Sequence, residues 1–175
     1  EDTSSASFQD LSRALDAMIA RQRKANAGAQ SGAGIATPVA PAQPRVSICV
    51  LPFSNMSGDL EQEYFSDGLV EDIITALSRF RSLRVVSRNS SFTYKGRAVD
   101  VRQVGRELGV RYVLEGSVRA ASGRLRITGQ LIESTSGAHI WADRYDGAAD
   151  DVFALQDRVT LDVVGAITPR LTQAE

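Results

Sequence analysis

The run Val46 to Leu51 (VSICVL) constrains the fold more than any other part of the chain. It is a continuous β-branched and apolar stretch closed by Pro52, the pattern of a central strand buried on both faces. Such a strand needs layers above and below it, and the chain supplies candidates directly. From Glu61 to Phe80, the residues Phe65, Leu69, Ile73, Ile74 and Leu77 recur at spacings of three and four, one helix face turned to a sheet. A polar turn at Asn55 to Asp59 precedes this helix. Ser66 or Asp67 is expected to cap its main turn, with Glu71 and Asp72 placed where a helix N-terminus favours negative charge.

Leu83 to Ser87 (LRVVS) predicts a second short strand. Asp100 then opens a helical pattern with Val101, Val104 and Leu108 facing inward and Gly109 as its stop. Three segments of period-two alternation follow: Arg111 to Ala120, Arg124 to Glu133 and Ala138 to Tyr145. Ser122-Gly123 and Ser134 to Gly137 separate them as turns, so they predict an antiparallel meander. A last apolar stripe of Val152, Leu155, Val159, Val163, Val164 and Ile167 starts at Asp150 or Asp151 and is expected to be interrupted by Pro169. The element order is β-α-β-α-β-β-β-α. It implies an α/β domain with a mixed sheet of about five strands, a βαβ unit extended by antiparallel strands, with helices packed on the sheet.

Ahead of the domain (46–172), residues 1–24 predict a short amphipathic helix, or the end of a preceding domain, carrying Phe8, Leu11, Leu15, Met18 and Ile19 at helical spacing. Residues 25–45 are almost entirely Ala, Gly, Pro, Ser, Gln and Thr, too poor in apolar surface to offset ordering entropy, and read as a flexible linker. The chain carries no initiator Met, no apolar signal core and no run of eighteen apolar residues. It reads as a fragment, itself without a membrane span, of a larger protein.

The formal net charge of −1 gives no global argument for a nucleic-acid or membrane partner, both of which favour a basic imbalance. Cys49 is the only cysteine, so an intrachain disulfide and a cysteine-based metal cluster are excluded, and its apolar context marks a buried thiol.

The ordered motifs VLPF, SGDLEQEYFSDGLVEDIITALSR, VVSRNSSFTYKG, VRQVGRELGVRYVLEGSVR and ITGQLIESTSGAHIWADRYD resemble the TolB amino-terminal-like domain over Val46 to about Leu171. The resemblance implies an anticodon-binding-like α/β fold. It also implies a place in larger bacterial signalling proteins, beside class III adenylate cyclase, winged-helix regulator or serine/threonine kinase domains, often with tetratricopeptide repeats. None of those neighbours is legible in this sequence, so a fragment inert as an enzyme is expected, with no cofactor. In some relatives the domain lies beyond a membrane span, which implies the periplasmic side of a membrane-anchored parent; the cytoplasm is the alternative.

Within the domain, Arg88, Asn89, Ser90, Ser91, Tyr94, Lys95 and Arg97 form the candidate binding segment, a donor-rich loop directly after a strand, where α/β sheets commonly place ligands. Its hydroxyls and two cations suit a small anionic ligand. The structural alternative is that Ser90 and Ser91 satisfy the backbone while Phe92 and Tyr94 anchor the loop. From Arg79 to Arg111, the residues Arg81, Arg84, Arg88, Lys95, Arg97, Arg102 and Arg106 face only Asp100 and Glu107, whereas Asp59 to Asp72 is acidic. This polarity suits a protein partner or self-association, or else it neutralises itself. Nucleic acid would want more stacking aromatics than Phe92 and Tyr94. His139, the only histidine, alternates with Trp141 and Asp143, so the three are expected on one strand face; a structural role is favoured because no nucleophile or metal set accompanies it. The expected function is a non-catalytic sensor-like or interaction domain. The alternatives are a dimerisation module, or a piece of an adenylate cyclase or kinase whose catalytic domain lies elsewhere.

Overall fold

A computed structural model describes residues 13, 15–21, 24 and 45–173. Strand β1 (Val46–Val50) leads through the two-residue β2 (Ser54–Asn55) to helix α1 (Leu60–Ser78) and strand β3 (Leu83–Val85). Two helices follow, α2 (Arg88–Phe92) and α3 (Val101–Leu108). The long strands β4 (Tyr112–Ala121), β5 (Arg124–Glu133) and β6 (His139–Ala148) come next, and α4 (Val152–Gln173) closes the order. The sheet runs β3-β1-β4-β5-β6, with β2 paired to β4. β1 is parallel to both neighbours, through Ile48↔Val85 and Ile48↔Tyr112, while β4, β5 and β6 are antiparallel. The fold is therefore the expected α/β architecture on a mixed sheet, with a sixth, minimal strand in place of part of the Asn55 turn.

Alternation along β1 explains its unbroken apolar run. Val46, Ile48 and Val50 join the main core with α1 and α4, whereas Cys49 and Leu51 join a smaller core on the opposite face with Tyr94, Val104, Val110 and Val113. Leu15 is buried in the main core and Ile19 packs against it, so part of the expected N-terminal helix is seated on the domain. Phe8, Leu11 and the expected linker at 25–44 lie outside the described residues.

Four local expectations are corrected. The N-cap of α1 is Asp59, whose carboxylate accepts the Glu61 N–H at 3.1 Å, and Ser66 is fully buried within the helix. The segment read as a loop at Arg88 begins as helix α2, capped by Ser87. Helix α4 continues through Pro169 to Gln173. Its last turn is held by the fully buried Ile167 and Leu171, and the Thr168 hydroxyl and Arg170 guanidinium donate to the carbonyls four residues back, at 2.7 and 2.9 Å. The fourth concerns His139. A register irregularity pairs Leu131 with Trp141 but Ile132 with His139. Neighbouring residues of β5 point to opposite faces, so His139 and Trp141 do too, with Ile140 as the extra residue of a β-bulge.

Ser122 (φ 52°) and Gly123 (φ 72°) close the β4–β5 hairpin as a two-residue turn with both central residues left-handed, which matches the strand twist. Gly109 ends α3 at φ 63°, as its position predicts.

Candidate functional site

α1 and α4 pack together over one sheet face. Among the described residues, the other face is covered only at its β1–β4 end, by α2 and α3. Beyond that cover the sheet stays open, and the alternation of β4 and β5 decides what it presents. Glu115↔Gln130, Ser117↔Thr128 and Arg119↔Arg126 are direct cross-strand pairs, so their side chains rise from the same face as neighbours.

The first two pairs floor a cleft of about 340 Å³, walled by Leu51 and Pro52 after β1 and by Tyr94, Arg97 and Val99 after α2. Gln130 Nε2 donates to Glu115 Oε1 at 3.2 Å, and the Ser117 and Thr128 hydroxyls share a hydrogen bond of 2.6 Å. Burial pushes the half-buried Glu115 carboxyl above its ordinary pKa, opposed by the nearby His139. Gly116, between the two floor positions, is closely packed: a Cβ there would meet the Thr128 carbonyl and lie 2.8 Å from the Phe53 ring.

The candidate segment divides. Ser91 is buried and donates to the Val50 carbonyl, which fixes α2 onto the end of β1. Tyr94 is buried in the smaller core and its hydroxyl donates to Glu107, an interaction that pushes its pKa up to about 12. The N-cap Ser87 donates its hydroxyl to Ser90 Oγ at 3.1 Å and accepts the Ser90 backbone N–H at 3.4 Å, and Asn89 is exposed. Arg88 lies 4.1 Å over the Phe92 ring and pairs with Glu71 at 3.5 Å. Lys95 pairs with Asp67 and, at 3.2 Å, with Glu63, and its pKa is raised chiefly by Asp67. Arg97 alone of the cations lines the cleft, 5.9 Å over Tyr94. The acidic face of α1 thus meets the basic segment within the domain. Two further arginines are spent on backbone carbonyls, Arg84 on Gly109 at 2.6 Å and Arg102 on Ser136 at 3.0 Å. Burial raises the Cys49 thiol to about 11, against the hydrogen bond from Ser91, so the thiol stays protonated in the smaller core.

Sequence reading missed the open face. Arg124, Arg126, Thr128 and Gln130 follow one another at every second position, a signal visible in the sequence that identifies a polar strand face but not whether that face is covered. At the far end of that face, a second hollow of about 370 Å³ is lined by Arg119, Arg124, Arg126 and Asp146.

The family model of the HilA/YgeH-like transcriptional regulator, second domain, matches residues 44–161. A protein of Rhizobium meliloti (strain 1021) named "Putative adenylate cyclase 3" is 59% identical over 138 residues, which cover 79% of this chain and 23% of that protein. The lipoprotein GNA1162 from Neisseria meningitidis superposes with a TM-score of 0.51 at 20% identity, over 70% of this chain and 96% of that one, a likeness of fold. TolB from Acinetobacter baumannii superposes with a TM-score of 0.49 at 16% identity, over 73% of this chain and 29% of that one. No helix among the described residues is long and apolar enough to cross a membrane.

Proposed function

Because the chain belongs to the family of HilA/YgeH-like transcriptional-regulator second domains, we propose that it is a non-catalytic regulatory domain that binds a small ligand or a protein partner on its open sheet face and passes that state to an effector elsewhere in a longer protein. The single observation that carries this reading is the cleft. Four separate segments converge on it, and they bring a carboxylate, an amide, three serine and threonine hydroxyls and one guanidinium onto partly apolar walls, the composition of a recognition site. A relative named as a cyclase, of which the matched stretch is 23%, supports attachment to a cyclase as the effector, with the chemistry residing outside this domain. Kinship with TolB amino-terminal domains belongs to the same proposal. So does a place on the periplasmic side of a membrane-anchored parent. The transcriptional-regulator family favours the cytoplasmic alternative, and an alkaline-phosphatase fusion to the parent decides, being active only if the domain is exported.

The test of binding is thermal stabilisation against nucleotides, phosphorylated metabolites and cell-wall fragments, since a ligand of the folded state raises the melting temperature. A saturable shift that disappears in Thr128→Val and Gln130→Ala supports the ligand reading. If no compound shifts the melting point and the parent's effector domain does not bind either, the regulatory reading fails.

A further inference from the structure

The hollow at the far end of the open face concentrates like charge where a sheet ordinarily avoids it. Arg119 and Arg126 stand directly opposite each other on β4 and β5, an arrangement that costs stability in an antiparallel pair. Arg124 lies beside them at the hairpin and lines the same hollow. On β6, Asp146 takes Arg126 Nε at 2.9 Å and lies 3.9 Å from Arg144 Nε. Arg158 of α4 donates to the Asp146 carbonyl at 2.7 Å. Three guanidinium groups therefore act on the one carboxylate, whose pKa is lowered by Arg126 first, with Arg144 and Arg124 adding to it, while Arg119 lines the same hollow. The basic residues between Arg79 and Arg111 lack this property where Arg88 and Lys95 are met by Glu63, Asp67 and Glu71. Asp146 orients Arg126 without balancing the group. Arg119 and Arg124 keep donors for an incoming acceptor, and a guanidinium fork matches phosphate geometry.

We propose that the hollow formed by Arg119, Arg124, Arg126 and Asp146 is an anion site for a small soluble ligand bearing two or more linked phosphate groups. Its volume of about 370 Å³ admits a compact polyphosphate compound, and the spread of guanidinium groups over three strands suits several oxyanions better than one. The proposal goes beyond the cleft and does not depend on it, since the two hollows share no lining residue.

The experiment is calorimetric titration of the chain with inorganic tripolyphosphate and with orthophosphate at low ionic strength, repeated for the Arg119→Gln/Arg126→Gln variant. Arg106→Gln on α3 serves as the control for loss of positive charge. The expected result is saturable binding of tripolyphosphate, weaker for orthophosphate. The double variant should weaken it roughly tenfold or more, while the control stays within about twofold. The double variant relieves a repulsive pair but also loses the Arg126–Asp146 bond, so it should keep a cooperative melting transition close to that of the unaltered chain, which separates lost binding from lost folding. Absence of tripolyphosphate binding, or equal weakening in the control, would overturn the site. Neither result bears on ligands of the cleft, which Thr128→Val and Gln130→Ala report separately.

Discussion

Glu115 carries a charge in a place that resists it. Burial raises its pKa above the usual carboxylate range, opposed by His139 on β6, and the Arg97 guanidinium lines the same cleft. A carboxyl whose folded pKa exceeds its unfolded value contributes stability below the unfolded value and loses it as pH rises through the folded one. At neutral pH the ionised Glu115 is therefore a liability to the fold. We expect Glu115→Gln to raise the urea midpoint at pH 7, with the difference closing at acid pH where both chains are neutral at this position. Matched unfolding curves at the two pH values check this, and a variant less stable at pH 7 would contradict it. A residue that weakens the fold yet lines a cleft is what a binding function leaves behind. Little of this was legible in advance. Alternation places Glu115 on a strand face, but which face remains uncovered depends on where α2 and α3 pack. His139 shows the same limit, because the period-two rule fails at an irregularity that inserts one residue, and a strand's own sequence gives no sign of it.

Helix boundaries divide along a similar line. Asp100 and Gly109 bound α3 as the sequence predicts, because a side-chain cap and a left-handed stop are local chemistry. α2 spans only five residues, RNSSF, whose serines and asparagine suit turns as well as helix, and it is fixed by a tertiary bond from Ser91 to the Val50 carbonyl. α4 runs past Pro169 for a tertiary reason too: Leu171, beyond the proline, is fully buried in the main core beside Ile167. Its burial offsets the penalty that proline imposes on a helix interior. Leu171→Ala should accordingly destabilise the chain by about 2–5 kcal/mol, the range for a buried leucine truncated to alanine. Chemical denaturation measures it, and a loss near zero would mean that the last turn frays after the proline and packs on nothing.

Across the whole molecule, charges distant in sequence settle one another, and what remains unsettled defines the exterior. The acidic face of α1 meets Arg88 and Lys95, so the polarity visible along the sequence is largely an internal matter. One further exposed feature is β6, an edge of the sheet ten residues long that could pair with a second copy. Two of its backbone groups are already taken. The Asp143 carboxylate accepts the Arg144 N–H at 2.8 Å, and Arg158 donates to the Asp146 carbonyl at 2.7 Å. Residues 144 and 146 are two apart on one strand, so their backbone groups point to the same side, and both are occupied by side chains. Such occupation blunts an edge in the way that charged residues do in natural sheets. It argues against dimerisation through the meander, one of the alternatives raised by the sequence. Light scattering across a wide concentration range should give the mass of a single chain. The Asp143→Ala/Arg158→Ala variant frees both groups and should show a mass that grows with concentration. A dimer of the unaltered chain that is lost when β6 is disrupted by Arg144→Pro would show instead that the edge is open and that assembly is part of what the domain does.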